Sequence, residues 1–356
     1  MAVVAMIGLT HPHSRMYLDT LDMVGEVEGI VLCDEDEGVA LEAVGRWPKA
    51  AISYVDPEQA LAYPGVTHAL IAVPNDRAVP LITSAIERGI GVFSEKPGAR
   101  TAAEFRPVIA ALARRPVPFA VAYMNRWQPA LRQMRDLFQA GAIGEVRSVE
   151  LRMVTTQVAL RDPRHWLFKA EVAGGGILTW LACHWLDWVR YATGQEYTRV
   201  SAELATLSGE DISVEDTAAV TFRLAGGAVG SLHAGYLLAT GNAGYEGTNS
   251  DWAVHLRGSH GTLTYRRGLR DEPLILESSV PGWRHASPRT YSFAVTPERG
   301  YGGAAGNDFF REFLAAGPHD PVPAGATDAL RVLELLDAIY EAGRSGRAVE
   351  LAQADA

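Results

Sequence analysis

Four groups of side chains in this sequence have types and spacings that could do chemistry. His11 and His13 follow an apolar run and Gly8 in "MIGLTHPHSRMYLDTL". Asp34 closes the apolar stretch "VEGIVLCD", and Lys96 stands in "GVFSEKP", just before Pro97. Trp180, His184 and Asp187 recur at helical three- and four-residue spacing in "GGGILTWLACHWLD", which places them on one stripe of a helix. Paired imidazoles can ligate a metal, titrate near neutrality or meet a phosphate. A metal would need further ligands, and no cysteine or carboxylate cluster in the pattern completes such a site; the sequence assigns no metal. The other reading puts both histidines in a turn, reaching phosphate or substrate, or only capping the helix that follows.

The elements around these residues decide between the readings. "AVVAMIG" (2–8), "VEGIVLCD" (27–34), "HALIAVP" (68–74), "GVFSEKP" (91–97) and "FAVAYMN" (119–125) are apolar runs of strand length. Between them, 14–24, 76–89 and 101–115 carry helical periodicity, the last opened by a Thr-x-x-Glu capping box. Strands alternating with helices predict a doubly wound parallel sheet, whose ligands bind beyond the carboxyl ends of the strands. The first strand–helix turn of such a sheet receives a pyrophosphate, and glycines there permit close approach. Gly8 holds the first glycine place, while Thr10 and His13 stand at the second and third. Asp34 falls where a carboxylate would meet a ribose 2′-hydroxyl and repel a 2′-phosphate, so NAD is favoured over NADP. Asp36 adds to that repulsion if it faces the site. Read without the fold, Asp34 is a strand-end turn residue and Lys96 a solvated lysine; the carboxyl end of a strand gives both more weight.

After about residue 145 the pattern changes to strands with few helices, joined by the hairpin turns "LAGGAVG" and "RGSHGTLTY". Two helical stretches end the chain. The fold class is therefore an α/β Rossmann-type doubly wound domain over 1–122, followed by an α+β domain over 123–356 with a large, mostly antiparallel open sheet. The closing helices are expected to pack back toward the first domain.

Composition narrows the function classes. The 356 residues are 48% hydrophobic and 21% charged, as in an ordinary globular protein of two domains. A net charge of −10 without a basic tract speaks against nucleic acid as a partner. No run of about 18 apolar residues occurs, and the first apolar stretch lacks the basic flank of a signal peptide, so no membrane partner is expected. Two distant cysteines, Cys33 and Cys183, fit a reducing cytoplasm.

Three stretches carry a resemblance: "AVPNDRAVPLITSAIERGIGVFSEKPGARTAAE" (72–104), "NRWQPALRQMRDLFQAGAIGEVRSVEL" (125–151) and "GGGILTWLACHWLD" (174–187). Together they resemble the glucose–fructose oxidoreductase/inositol dehydrogenase (Gfo/Idh/MocA) family. The resemblance implies an NAD(P)-dependent dehydrogenase acting on sugars, cyclitols or related polyols, and a homodimer or homotetramer formed through the carboxy-terminal sheet. It implies that Gly8, Thr10, His11, His13, Asp34, Val73, Pro74, Asn75, Glu95, Lys96 and Asn125 line the cofactor. Lys96 would also meet the substrate hydroxyl, and His184 would be the acid/base, supported by Asp187. Tyr123, Arg126, Arg164, His165, Trp166 and Trp180 are expected on the substrate side. His233 and Tyr236 are expected to be structural. The sequence departs from the family at three places: Trp180 where an aspartate usually precedes the histidine, Ala78 where histidine is frequent, and the missing glycines of the first turn. Two alternatives therefore stay open: a lyase that oxidises its substrate transiently without net NADH, and a non-catalytic nucleotide- or sugar-sensing protein.

Overall fold

The computed structural model describes residues 1–352 except 240–241, 246, 269–272, 283–287, 294–297 and 323. The chain forms two compact units, Met1–Trp127 with Val295–Leu333, and Gln128–Ala294 with Glu334–Ala356.

The first unit is built on parallel strands β1 (Ala2–Ile7), β2 (Val27–Cys33), β3 (Ala50–Tyr54), β4 (Val66–Ile71), β5 (Gly91–Ser94) and β6 (Phe119–Val121), in the order β3-β2-β1-β4-β5-β6. This is the doubly wound order, with its topological switch between β1 and β4. The crossovers are helices α1 (Ser14–Met23), α2 (Glu37–Ala43), α3 (Pro57–Leu61), α4 (Asn75–Glu87) and α5 (Ala102–Arg114). Their starts follow capping chemistry: Asp36 accepts the N–H groups of Gly38 and Val39, and Thr101 accepts that of Glu104. Central strands such as β5 are buried at every position, so alternation is absent and continuous apolar runs mark them.

The boundary differs from the one expected after residue 122. The 3₁₀ turn Met124–Arg126 and Trp127 remain with the first unit, and 295–333 returns to it. The physical cause is a cluster of aromatic rings. Phe93 on β5 meets Phe309, Phe310 and Phe313 at 5.1, 5.3 and 5.5 Å between ring centroids, and Trp127 stacks on Phe309 at 3.6 Å. The three phenylalanines lie on helix α9 (Gly303–Ala315). Burying each such ring stabilises by roughly 2 kcal/mol, which outweighs sequence distance.

The second unit carries a nine-stranded sheet of β7 (Val146–Thr156), β8 (Tyr197–Ala205), β9 (Thr217–Leu224), β10 (Val229–Leu238), β11 (Ser250–Gly258), β12 (Gly261–Gly268), β13 (Leu274–Ser278), β14 (Arg289–Tyr291) and β15 (Val349–Glu350). Its order is β14-β13-β12-β11-β7-β10-β9-β8-β15; among the described residues only β7 and β10 pair in parallel within it. Along β9, Ala218, Val220, Phe222 and Leu224 are buried while Ala219, Thr221 and Arg223 are exposed. One face of the sheet is thus covered and the other open. The remaining helices are α6 (Pro129–Gln139), α7 (Ala170–Ala173), α8 (Cys183–Thr193), α9 (Gly303–Ala315) and α10 (Ala326–Ser345).

Candidate active site

The first unit gathers its chemistry at the carboxyl ends of β1, β2, β4, β5 and β6. Gly8 leaves β1 at φ +93°, and a Cβ there would lie 2.1 Å from the carbonyl oxygen of Ala72, so only glycine fits. Ser14 Oγ donates to the Gly8 carbonyl at 2.6 Å, pinning the turn to the start of α1. That helix start carries no capping side chain and no acidic residue in its first turn, which leaves it favourable to an anion. Asp34, also buried, shapes the same turn: its Oδ2 accepts the N–H groups of Leu9 and Thr10 at 2.6 and 3.2 Å, and Oδ1 that of Asp36 at 3.0 Å. A carboxylate offers about four acceptor sites, so a ribose hydroxyl can still be accommodated. The Asp36 carboxylate is engaged in capping α2. Val73 and Pro74 lead into α4, which Asn75 begins, its side chain buried. The glycine at the end of β1, the uncapped start of α1 and the buried carboxylate at the end of β2 fit a dinucleotide.

Beyond β5 lies a buried hub. The Glu95 carboxylate meets His13 Nδ1 at 3.3 Å and Lys96 Nζ at 3.6 Å through Oε1, and it accepts the Tyr17 hydroxyl through Oε2. Burial lowers the pKa of the His13 imidazole and favours the neutral ring. Burial also opposes charge on Glu95, but His13, Lys96 and His11 outweigh it and hold the carboxyl well below the usual carboxylate range. The Tyr17 phenol is pushed well above its ordinary value by burial and by Glu95. Tyr301 lies over both rings, 4.5 Å from His13 and 4.6 Å from Tyr17 between centroids.

His11, His13 and Glu95 bring three ligand-type atoms within 4.8 Å of one another. The sequence offered no third partner for the histidines, and the fold supplies Glu95. Their hydrogen bonds nevertheless oppose a metal. His11 Nδ1 accepts the backbone N–H of His13 at 3.2 Å, which puts the ring proton on Nε2 and removes that lone pair. Glu95 is already held by three donors, one of them the Lys96 ammonium. We assign no ligand role to the three.

The second unit presents its candidates on a short helical segment. Gly174 ends α7 at φ +81°; a Cβ on Gly175 would sit 1.8 Å from the Tyr340 hydroxyl, and one on Gly176 would sit 1.9 Å from the Glu215 carbonyl oxygen. The three glycines therefore let this turn press against Glu215 and Tyr340. Buried Glu215 accepts the N–H groups of Gly176 and Leu178 at 2.9 and 3.0 Å and the Tyr340 hydroxyl at 3.0 Å, while Tyr340 also meets Thr179 Oγ1 at 2.9 Å. Burial raises the Glu215 carboxyl above the usual range. Residues Leu178–Ala182 then form a π-helical turn before α8, where the 3–4 spacing had suggested a plain α-helix. A π turn is a common device at functional sites. It carries Trp180, with His184 and Asp187 following on α8, all three buried. Trp180 meets Trp166 edge-on at 6.3 Å and Tyr245 at 6.1 Å. Arg161 lies 4.2 Å over the Tyr245 ring and 5.2 Å over that of Tyr236, and donates to Thr156 Oγ1 and the Gly244 carbonyl at 2.8 and 2.9 Å.

The other expected site residues are placed as follows. Tyr123, Asn125 and Arg126 follow β6 and are buried, and Arg126 pairs with Asp328 on α10 at 3.0 Å. Arg164 is exposed and pairs with Asp162 at 3.1 Å, away from the Trp166–Trp180 contact. His165 is half-buried beside Trp166, its Nδ1 accepting the N–H of Leu167 at 3.3 Å. Thr10 is exposed, with its N–H on Asp34. Sequence reasoning did not single out Tyr17, Tyr301, Arg161, Glu215, Tyr245 or Tyr340.

A doubly wound sheet with an anion-ready turn, a buried carboxylate at the end of β2 and a buried Glu–Lys pair fits a dinucleotide-binding protein. Residues 3–123 match the family model described as an oxidoreductase family, NAD-binding Rossmann fold, and 131–264 match the GFO/IDH/MocA C-terminal domain. The chain belongs to the Gfo/Idh/MocA family and is an NAD-binding oxidoreductase. It is 27% identical to a levoglucosan dehydrogenase from Pseudarthrobacter phenanthrenivorans, over 80% of each chain. It is 26% identical to a D-apiose dehydrogenase from Paraburkholderia graminis, over 96% of this chain and 88% of that one. Its fold is similar to that of a levoglucosan dehydrogenase solved with NADH and levoglucosan: TM-score 0.86, 23% identity, 99% of this chain and 100% of that one.

Proposed function

We propose that this protein oxidises a secondary hydroxyl of a sugar, cyclitol or related ring compound, using NAD in preference to NADP. The observation that carries this reading is Lys96: a lysine 1% exposed, at the carboxyl end of a Rossmann strand, 3.6 Å from an ionised Glu95. A buried ammonium at this end of the sheet, paired to Glu95, is placed to meet a substrate oxygen that develops negative charge. Relatives named for levoglucosan and D-apiose oxidation support the substrate class.

Bound NAD would supply the hydride acceptor. On this chain, Gly8, Thr10, His11, His13, Asp34, Val73, Pro74, Asn75, Glu95, Lys96 and Asn125 would hold it. Lys96 would donate to the substrate oxygen and stabilise the alkoxide character that grows as the carbon gives up hydride. His184 would take the hydroxyl proton, with Asp187 supporting it from three residues along the same helix. Trp180, which adds only an N–H donor, would face the substrate ring. We place the contact between copies of the chain on the open face of the nine-stranded sheet, and the protein in the cytoplasm, in line with two buried free cysteines. Among the described residues no helix is long and apolar enough to cross a membrane.

Replacing Lys96 tests the reading. Lys96→Ala is expected to lower kcat by about 100-fold or more while NAD binds within a few-fold of the wild type by calorimetry. Full turnover in that variant contradicts it.

A further inference from the structure

Two residues surround Glu95 that the proposed chemistry does not use as donors. His13 occupies the third glycine place of the turn, and Tyr17 lies one helical turn further along α1. Both reach across to β5, 82 and 78 residues away in sequence, and end on the same carboxylate. The neighbouring Lys96 side chain is fully buried and that of Glu95 is 3% exposed. A buried ion pair persists only when further donors satisfy the carboxylate's remaining lone pairs. His13 and Tyr17 are those donors, and Tyr301 packs against both rings. The 298–301 segment holds Tyr301 in place: Tyr301 N–H donates to Thr20 Oγ1 at 2.9 Å, and buried Asn307 donates to Glu298 and to the Arg299 carbonyl at 2.9 and 3.0 Å.

We propose that His13 and Tyr17 are positioning residues that hold the Glu95 carboxylate against Lys96 and thereby keep Lys96 a charged ammonium donor rather than a base. The inference rests on the role given to Lys96 above and deepens it. It accounts for the histidine in the turn: a glycine at 13 would leave Glu95 Oε1 without that donor. It also assigns proton acceptance away from Lys96, since an amine that stays protonated cannot take the hydroxyl proton. Among the described residues of this unit, His11, His13 and Lys96 act on Glu95, Tyr17 donates to it, and Tyr301 lies against His13 and Tyr17. Loss of one donor frees the carboxylate to turn away from Lys96, and with the pair lengthened burial favours the neutral amine.

Tyr17→Phe tests this with the ring packing kept, and His13→Leu with the second donor removed; His13→Gln retains a donor and serves as the rescue. The readout is the NMR titration of the Lys96 ammonium in otherwise intact protein without substrate, alongside the pH dependence of kcat/KM. Tyr17→Phe and His13→Leu are expected to lower the Lys96 titration midpoint by about one pH unit, a tenfold change in its protonation equilibrium. The alkaline limb of kcat/KM should move with it, and His13→Gln should restore both. An unmoved Lys96 titration in Tyr17→Phe and His13→Leu overturns the proposal, including the case where His13→Leu loses NAD affinity and so serves the nucleotide instead. Because the titration is read without turnover, its failure is distinct from full activity in Lys96→Ala, which would remove the functional reading itself.

Discussion

Asp34 does two jobs with one carboxylate. It fixes the first turn through the N–H groups of Leu9 and Thr10, and we propose that it also presents negative charge to the ribose of a bound dinucleotide. A 2′-phosphate placed within about 4–6 Å of it meets like charge, so NAD is expected to bind at least about tenfold more tightly than NADP, where one factor of ten is 1.4 kcal/mol. Asp34→Asn keeps one acceptor oxygen and removes the charge. Calorimetric titration should then show NAD weakened and the preference for NAD over NADP reduced; an unchanged ratio would show that Asp34 only shapes the turn. Asp34, Gly8 and Lys96 were legible in the sequence because each sits at a strand end, and strand ends follow from apolar runs. The meeting of His13 and Tyr17 with Glu95 was not legible: no periodicity links residues about eighty positions apart, and only the pairing of β1 with β4 and β4 with β5 brings them together.

The π-helical turn depends on partners outside its own segment. Its backbone N–H groups at Gly176 and Leu178 end on Glu215, whose charge is shared with the Tyr340 hydroxyl. Residues 178–187 are mostly apolar and all buried, and the sequence pointed to a helix with Trp180, His184 and Asp187 on one stripe but gave no sign of the wider turn. Tyr340→Phe keeps the ring and removes one charge-assisted hydrogen bond, which is expected to cost about 1.5–3 kcal/mol. The sign of its pH dependence follows from burial of Glu215. The folded carboxyl titrates above its ordinary value of 4.5, so this group's stability contribution is fully present below that value and is lost as pH rises through the raised one. Tyr340 bonds to the ionised form and offsets part of that loss. The deficit of Tyr340→Phe in chemical denaturation should therefore be smallest near pH 4.5 and grow toward neutrality. A deficit independent of pH would show that the hydroxyl serves Thr179 alone. Short elements such as α2, β3 and α3 were also hard to see, because five to seven residues hold too little pattern.

For the whole chain, alternation of strands and helices gave the parallel sheet, and paired strands around Gly-containing turns gave the mixed one. The return of the closing segment toward the first unit is expected from the sequence, but the aromatic packing on Phe93 that fixes it is not encoded in a linear pattern. Family membership fixes an NAD-binding oxidoreductase, while Trp180 in place of the usual aspartate bears on what it oxidises and where the proton goes. The most direct measurement incubates the wild-type protein and NAD with a panel of pyranoses, anhydrosugars and cyclitols, following nicotinamide reduction and the carbonyl product together. NADH is expected in a one-to-one ratio with a ketone or lactone from at least one ring compound, formed at least about 100-fold more slowly by Lys96→Ala. Tight NAD binding with no reduction on any of them, or product without net NADH, would contradict that expectation.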